Sequence, residues 1–238
     1  MILLLPKRWI LPCVFLALAT LTFFSVLKTG ESVAVTASQE MTVAISPVFV
    51  LDAGHGGADG GASAASGTLE SDINLAVTLR TRDMFSLIGR PTVLTRTGQE
   101  SLADDPAATL RQQKVSDTKN RVALINSVDN ARLISIHQNT LAGHGSVHGA
   151  QVFYSDTDGS EPLAEGIQQA LNAVINRNNT KGKKPISKDI YLMAHVTCPA
   201  VLVECGFLSN AAEAERLQSQ DYQTLLAMII CCAAVECE

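Results

Sequence analysis

The sequence has few charged and few aromatic residues, and it has no excess of positive charge. Charged residues make up 17% and aromatic residues 5% of the 238 positions, and 18 lysines and arginines face 23 acidic residues. Proteins that bind nucleic acids need a lysine- and arginine-rich surface to neutralise phosphates. We therefore expect no nucleic-acid partner, whereas the 47% of hydrophobic residues are enough for a sizeable core.

The sequence also lacks the cysteine spacing of a zinc knuckle or of a disulfide-rich secreted domain. It has six cysteines, none in a C-x-x-C pair, and Cys231, Cys232 and Cys237 cluster near the C-terminus. Such a distribution predicts that most of them are small buried hydrophobic residues. The redox state of Cys198 and Cys205 is left open by the sequence.

Long apolar runs are confined to the N-terminus. Lys7 and Arg8 precede residues 9–27, which carry no charge, and Lys28 follows them. This length suits a membrane-spanning helix of about 20 residues, and the basic flank predicts that the rest of the chain lies outside the cytoplasm. We predict a signal-anchor or signal peptide at 1–28, a stalk at 29–46 and a catalytic domain at 47–238. The small residues at 35–37 leave cleavage of the segment open.

Strand and helix patterns alternate after residue 47. Apolar runs predict strands at 48–52, 91–95, 132–137, 150–155 and 200–207. Helical patterns lie at 70–89, 109–128 and 161–178, and two more helices follow the last strand. The stretch 179–188 is interpreted as a basic loop. This alternation predicts one α/β domain with a mostly parallel central sheet flanked by helices.

Three chemically competent side chains follow or end predicted strands. His55 comes after strand 48–52, His137 closes strand 132–137, and Glu204 lies in strand 200–207. Because active sites of such sheets lie at the carboxyl ends of the strands, these groups are expected to meet at one edge. Two imidazoles and a carboxylate suit zinc, which keeps a fourth position for water. Glu70 is the candidate third ligand, although a carboxylate that opens a helix is also favoured by the helix dipole alone.

Four separated stretches carry a resemblance to a known family. They are "VFVLDAGHGGADGGA" from residue 48, "LESDINLA" from 69, "SIHQN" from 135 and "PAVLVECGFLSN" from 199. In this order they resemble the motifs of the zinc-dependent N-acetylmuramoyl-L-alanine amidases of the family-3 type, and the resemblance runs from about residue 47 to the C-terminus. Within that family, the stretch "YLMAHVTCPAVLVECGFLSN" is most similar to the amidases that act on spore cortex and permit germination.

The resemblance implies an enzyme and assigns residues to roles. It implies one Zn²⁺ ion with the metal ligands His55, Glu70 and His137, and a catalytic glutamate at Glu204. The implied reaction cleaves the amide between N-acetylmuramic acid and the L-alanine of the stem peptide by zinc-activated water. In that reaction Glu204 transfers the proton from water to the departing amine.

Three further residues are candidates with two interpretations each. Asp52 either orients His55, a common arrangement for zinc-bound imidazole, or ends a strand and caps a turn. His195 either faces the substrate or is a loop histidine with an internal hydrogen bond. Asn139, at the end of the "SIHQN" motif, is a candidate for substrate contact or for positioning a ligand.

The biological setting implied by the resemblance is extracytoplasmic. A spore role would place the enzyme in cortex maturation, with removal of stem peptides before muramic δ-lactam formation, and then in germination. Partners would be the peptidoglycan muropeptide, the membrane through the N-terminal segment, and an accessory protein of unknown identity. The alternatives are a non-catalytic zinc-containing wall-binding or assembly protein, an amidase of vegetative wall turnover, and a zinc hydrolase with a peptide or an N-acetyl group as its substrate.

Overall fold

The computed structural model describes residues 46–237. The predicted signal segment, 1–28, and all but the last residue of the predicted stalk, 29–46, lie outside this range. Within the range, no helix combines the length and the apolar composition that crossing a membrane requires.

Strands and helices alternate along the described chain much as the sequence predicts. The strands are β1 Val48–Ala53, β2 Thr92–Leu94, β3 Ala131–Asn139, β4 Gln151–Tyr154, β5 Lys184–Pro185 and β6 Ala200–Phe207. The helices are α1 Glu70–Leu87, α2 Leu110–Asn126, α3 Ser160–Val174, α4 Tyr191–His195, α5 Ala211–Gln218 and α6 Gln220–Glu236.

The strands form one six-stranded sheet in the order β2-β1-β3-β6-β4-β5. Strands β2, β1, β3 and β6 are parallel to one another, whereas β4 runs antiparallel to β6. The predicted α/β domain with a mostly parallel sheet is confirmed. The parallel strands β1, β3 and β6 all end at the same edge, which is where the candidate chemical groups lie.

Helices cover both faces of the sheet because successive strand residues point to opposite sides. Phe49 and Leu51 of β1 belong to the larger hydrophobic cluster, together with buried residues of α1, α3, α5 and α6. Val50 belongs to the second cluster, on the other face, together with Ile125 of α2 and Leu192 of α4. Burial on both faces explains why β1 is a continuous apolar run.

Three segments differ from the sequence prediction. The stretch 179–188 contains the two-residue strand β5, which pairs with β4 at the edge of the sheet and is too short to leave a periodic pattern. The one-turn helix α4 was not predicted, because its five residues are also too few for a helical repeat. Helix α3 ends at Val174, four residues before the predicted end.

The cysteines in the described part of the chain are free thiols. Cys198, Cys205 and Cys231 are buried, whereas Cys232 is exposed and Cys237 is half-buried. Burial raises the pKa of the Cys205 thiol to about 12. These buried thiols pack as small hydrophobic side chains, as the sequence predicts.

Candidate active site

The ends of β1 and β3 and the start of α1 bring three metal-binding side chains together. The ligand atoms of His55, Glu70 and His137 all lie within 4.8 Å of one another. Glu70 Oε1 lies 3.2 Å from His55 Nε2 and 3.0 Å from His137 Nδ1. The two imidazole rings meet edge to face, with centroids 5.0 Å apart.

Glu70 is held in place by groups other than the imidazoles. Its Oε2 accepts a hydrogen bond from the backbone N–H of Ala62. Its Oε1 accepts bonds from the backbone N–H of Gln138 and from the side-chain amide of Asn74. Burial alone would raise the pKa of Glu70, but the contacts with His137 and His55 hold it far below its usual range. Glu70 is therefore an ionised carboxylate at neutral pH.

His55 has an unusual backbone conformation and a carboxylate partner. Its φ is 62°, in the left-handed region that costs a non-glycine residue about 1–3 kcal/mol. Its Nδ1 lies 2.8 Å from Asp59 Oδ2, which directs Nε2 towards Glu70. Burial would lower the pKa of His55, but the carboxylates of Asp59 and Glu70 raise it to about 9. Asp59 itself is bonded to Lys114 at 2.9 Å.

Asp52 does not orient His55, and this interpretation of the sequence is corrected. The Asp52 carboxylate accepts hydrogen bonds from Thr95, Ser135 and Arg121, the last at 2.6 Å. Burial would raise the pKa of Asp52, but the Arg121 charge and the two hydroxyls lower it to about 2. Asp52 was the expected partner because it ends a strand, yet the partner of His55 comes from the glycine-rich loop after it.

Two buried arginines hold the backbone that leads to the site. Arg121 donates to the carbonyl of Ala53 and, at 2.6 Å, to that of His55 itself. Arg96 donates to the carbonyls of Ala53, Gly54 and, at the start of α1, Ser71. These bonds tie the strained turn of His55 to β1, α1 and α2, which offsets the cost of the left-handed conformation.

Glu204 lies beside His137 on the neighbouring strand. The two residues are register partners of the parallel strands β3 and β6, and a bulge follows them. Burial raises the pKa of Glu204 to about 7. Its Oε2 is buried without a hydrogen-bond partner in the described part of the chain. A buried carboxylate oxygen of this kind is available to a proton from a ligand.

A cleft of about 380 Å³ opens over these groups. Its lining includes His55, His137 and Glu204, with Asp189 and Tyr191 among the residues at its side. Asn139 and His195 do not belong to the described residues that line it. Asn139 follows the bulge, and its carbonyl accepts from the N–H of Leu208. His195 is exposed and stacks on Tyr191, with ring centroids 3.8 Å apart.

The residues at the mouth of the cleft fit a zinc ion. Two imidazoles and one carboxylate are the protein ligands of many catalytic zinc sites, which leave a position open. The hydrogen bond that Asp59 accepts from Nδ1 of His55 is the support that such imidazoles usually have. Glu204 supplies a carboxylate in addition to the three ligands, with an oxygen that no described protein group satisfies.

Glycine is required beside the cluster at two positions. A Cβ at Gly54 would overlap the imidazole of His137, and a Cβ at Gly61 would lie 2.5 Å from Glu70 Oε2 and 2.8 Å from His55 Cδ2. Gly61 also has a φ of 68°, which side-chain-bearing residues rarely adopt. The glycine-rich loop therefore lets backbone pass close to the ligands.

The substitution Gly54→Ala should weaken zinc binding about 10–100-fold, the range found when groups that orient metal ligands are changed. The added methyl group must displace the His137 ring from its position next to Glu70. Zinc titration against a competing chelator measures the effect. Gly182→Ala is the matched control, since a Cβ there meets no atom within 4 Å. Equal zinc affinity of the two variants would contradict the prediction.

Sequence reasoning missed the residues that position the site. Asp59 lies four positions after His55 in the same glycine-rich loop, and this proximity in sequence is the signal that indicates it as a partner. Arg96 and Arg121 gave no such signal, because isolated arginines in a loop and in a helix usually face solvent.

Comparisons with known proteins agree with this geometry. Residues 49–235 match the family model described as N-acetylmuramoyl-L-alanine amidase. The germination-specific N-acetylmuramoyl-L-alanine amidase of Bacillus subtilis is 36% identical over 183 residues, which are 77% of this chain and 76% of that protein.

Solved structures are similar as well. The CwlD amidase from Clostridioides difficile, solved in complex with the GerS lipoprotein, is 37% identical with a TM-score of 0.76, covering 81% of this chain and 98% of that one. The amidase AmiC2 of Nostoc punctiforme is 27% identical with a TM-score of 0.67, covering 80% and 96%.

Proposed function

The chain belongs to the N-acetylmuramoyl-L-alanine amidase family and is a peptidoglycan amidase, and on that premise we propose that it uses zinc and Glu204 for the reaction. The bond cleaved joins the lactyl group of N-acetylmuramic acid to the L-alanine of the stem peptide. The observation that carries the proposal is the position of Glu204. It lines the same cleft as two of the three clustered metal-binding side chains, and its buried Oε2 has no hydrogen-bond partner among residues 46–237.

His55, Glu70 and His137 would hold the metal. A bound Zn²⁺ ion supplies a Lewis acid for the amide carbonyl and lowers the pKa of water from about 15.7 towards 7. The carboxylate of Glu70 contributes the negative charge of the ligand set. Asp59 keeps Nδ1 of His55 occupied, so that Nε2 is the nitrogen that faces the ligands.

Glu204 is the proton carrier in this proposal. As a carboxylate it accepts a proton from the attacking water, and the resulting acid donates that proton to the amine of L-alanine as the bond breaks. Burial raises the pKa of Glu204, which makes its carboxylate a stronger base than that of an exposed glutamate. The register pairing with His137 holds its position relative to the ligands.

We assign the enzyme to spore cortex maturation and germination. The relative with 36% identity is a germination-specific amidase. Removal of whole stem peptides would free muramic residues for conversion to muramic δ-lactam by a separate enzyme. Spores that lack this chain should then contain no muramic δ-lactam and germinate poorly. Normal lactam content, or expression confined to vegetative growth, would favour general wall turnover instead.

The site of action in this proposal is outside the cytoplasm, with residues 1–28 as a membrane anchor or signal peptide. An accessory protein is also part of the proposal, because the similar CwlD amidase was solved in complex with a lipoprotein. Fractionation of cells that produce the full chain, with and without a carbonate wash, would distinguish an anchored from a released protein.

Digestion of purified muropeptides tests the reaction. With zinc present, the chain should release peptides with a free L-alanine amino terminus and leave muramic acid unsubstituted, as mass spectrometry of the products shows. The variant His137→Ala should lose both activity and zinc. Binding of glycan without turnover would point to a wall-binding protein, and loss of an N-acetyl group or cleavage within the peptide would point to a different hydrolase.

A further inference from the structure

An apolar groove lies beside the catalytic cleft, between helices α2 and α4. It has a volume of about 620 Å³, and its lining includes Leu110, Val115 and Tyr191. These three side chains are 48%, 50% and 41% exposed. Apolar side chains that gather in one concave surface commonly mark a binding site.

The groove is continuous with the cleft. Lys114, Thr118 and Tyr191 line both cavities, so one wall is shared. A substrate whose scissile amide lies at Glu204 extends away from the reacting bond in two directions, along the glycan and along the peptide. One of these two branches can continue past Tyr191 into the groove.

The rim of the groove is basic although the chain is acidic, with a formal net charge of −5. Arg111 and Lys119 line the groove, both are exposed, and neither has an ion pair among the residues described here. They lie two helical turns apart on one face of α2, with Val115 between them, because residues four apart share a face. Lys114, next to them, is already bonded to Asp59.

We propose that this groove binds the stem peptide on the departing side of the scissile amide, with Arg111 and Lys119 facing its free carboxylates. The inference rests on the proposed function and adds the orientation of the substrate, with the peptide branch extending from the cleft into the groove. The peptide branch fits better than the glycan branch because it carries carboxylates and aliphatic side chains. The N-acetylated sugars are neutral, and the lactyl carboxyl of muramic acid is consumed in the amide.

Charge reversal at the rim tests the proposal. The double variant Arg111→Glu, Lys119→Glu should lower kcat/KM for a muramoyl tripeptide about fivefold to tenfold, the size expected for two exposed charge contacts. The loss should shrink as salt is raised, because exposed charges are screened. For the same tripeptide with its carboxylates converted to amides, the loss should be less than about twofold. The affinity for the free tripeptide, followed by NMR titration, should fall in parallel.

A matched control carries the same charge change elsewhere. The double variant Arg177→Glu, Lys184→Glu replaces two exposed residues that belong to neither cavity lining, and it should cleave both substrates at the wild-type rate. If kcat/KM of Arg111→Glu, Lys119→Glu fell equally for the acidic and the amidated tripeptide, or fell for neither, the inference would be wrong, whereas the proposed function would stand. Loss of binding to a second protein with unchanged kinetics would also overturn it, in favour of a protein-docking surface. A wild-type chain that cleaves neither substrate would overturn the proposed function itself.

Discussion

Replacement of Glu204 by glutamine should lower the turnover of muropeptides about 100- to 10,000-fold, the contribution that general acid–base catalysis usually makes. The amide has nearly the shape of the carboxylate, so the cleft and the pairing of β3 with β6 should be unchanged. It lacks the basic oxygen that accepts a proton from water. Zinc content, measured by mass spectrometry of the metal, should stay at the wild-type level, since Glu204 is not among the clustered ligands.

The exposed Glu215 offers a control for the same chemical change. Glu215→Gln should cleave muropeptides at the wild-type rate and bind zinc normally. If Glu204→Gln retained most of the activity, another group would have to carry the proton. If it lost zinc along with activity, Glu204 would be a metal ligand rather than the proton carrier, and the proposed mechanism would be wrong.

The variant Arg121→Met should lose about 3–5 kcal/mol of unfolding free energy at neutral pH, the usual cost of removing one partner from a buried ion pair. Asp52 would remain ionised and buried, with only two hydroxyl partners left. The carbonyls of Ala53 and His55 would each lose a donor. Urea denaturation measures the change. Arg177→Met, at an exposed position, should stay within about 0.5 kcal/mol of wild type.

The double variant Arg121→Met, Asp52→Asn separates charge from packing. Because it removes both charges, it should be more stable than Arg121→Met alone. The stability that the Asp52–Arg121 pair contributes to the wild-type protein also depends on pH. The pKa of Asp52 is lowered from 3.8 to about 2, so its stabilising effect is complete above about pH 4 and is lost as the pH falls towards 2. A double variant as unstable as the single one would show that the unpaired charge is not the cause.

The fold could be predicted largely from the sequence because its strands are buried on both faces. Continuous apolar runs such as 48–51 and 200–203 exclude an exposed sheet, and the long segments between the strands require crossover helices. The strand β5 and the helix α4 could not be predicted in this way, because two and five residues are too few for a strand or helix pattern to repeat. Their conformation depends on neighbours, as the pairing of Phe153 with Lys184 shows.

The sequence was enough to predict the reactive side chains of the site, but not the residues that hold them in position. His55 and His137 stand where strands end, and the rule about strand ends is enough to bring them to one edge. Glu70 opens a helix, and its assignment as the third ligand depended on the family resemblance. The choice of Asp59 over Asp52 depends on the tight turn between Gly56 and Asp59, whose backbones are hydrogen-bonded to each other and which brings Asp59 back beside His55. The path of Arg121 to the carbonyl of His55 spans 66 residues, and no local pattern encodes it.

His137 and Glu204 are paired across β3 and β6. The backbone hydrogen bonds between these two strands therefore fix the distance between the two side chains. A slip of the pairing by one residue would turn Glu204 to the opposite face of the sheet and leave an apolar neighbour in its position. Outside the glycine-rich segment 54–61, loops around the cleft can therefore change in length and composition without moving these two side chains. Related amidases can thus differ in the type of cell-wall peptidoglycan that they prefer while the arrangement of these catalytic residues stays the same.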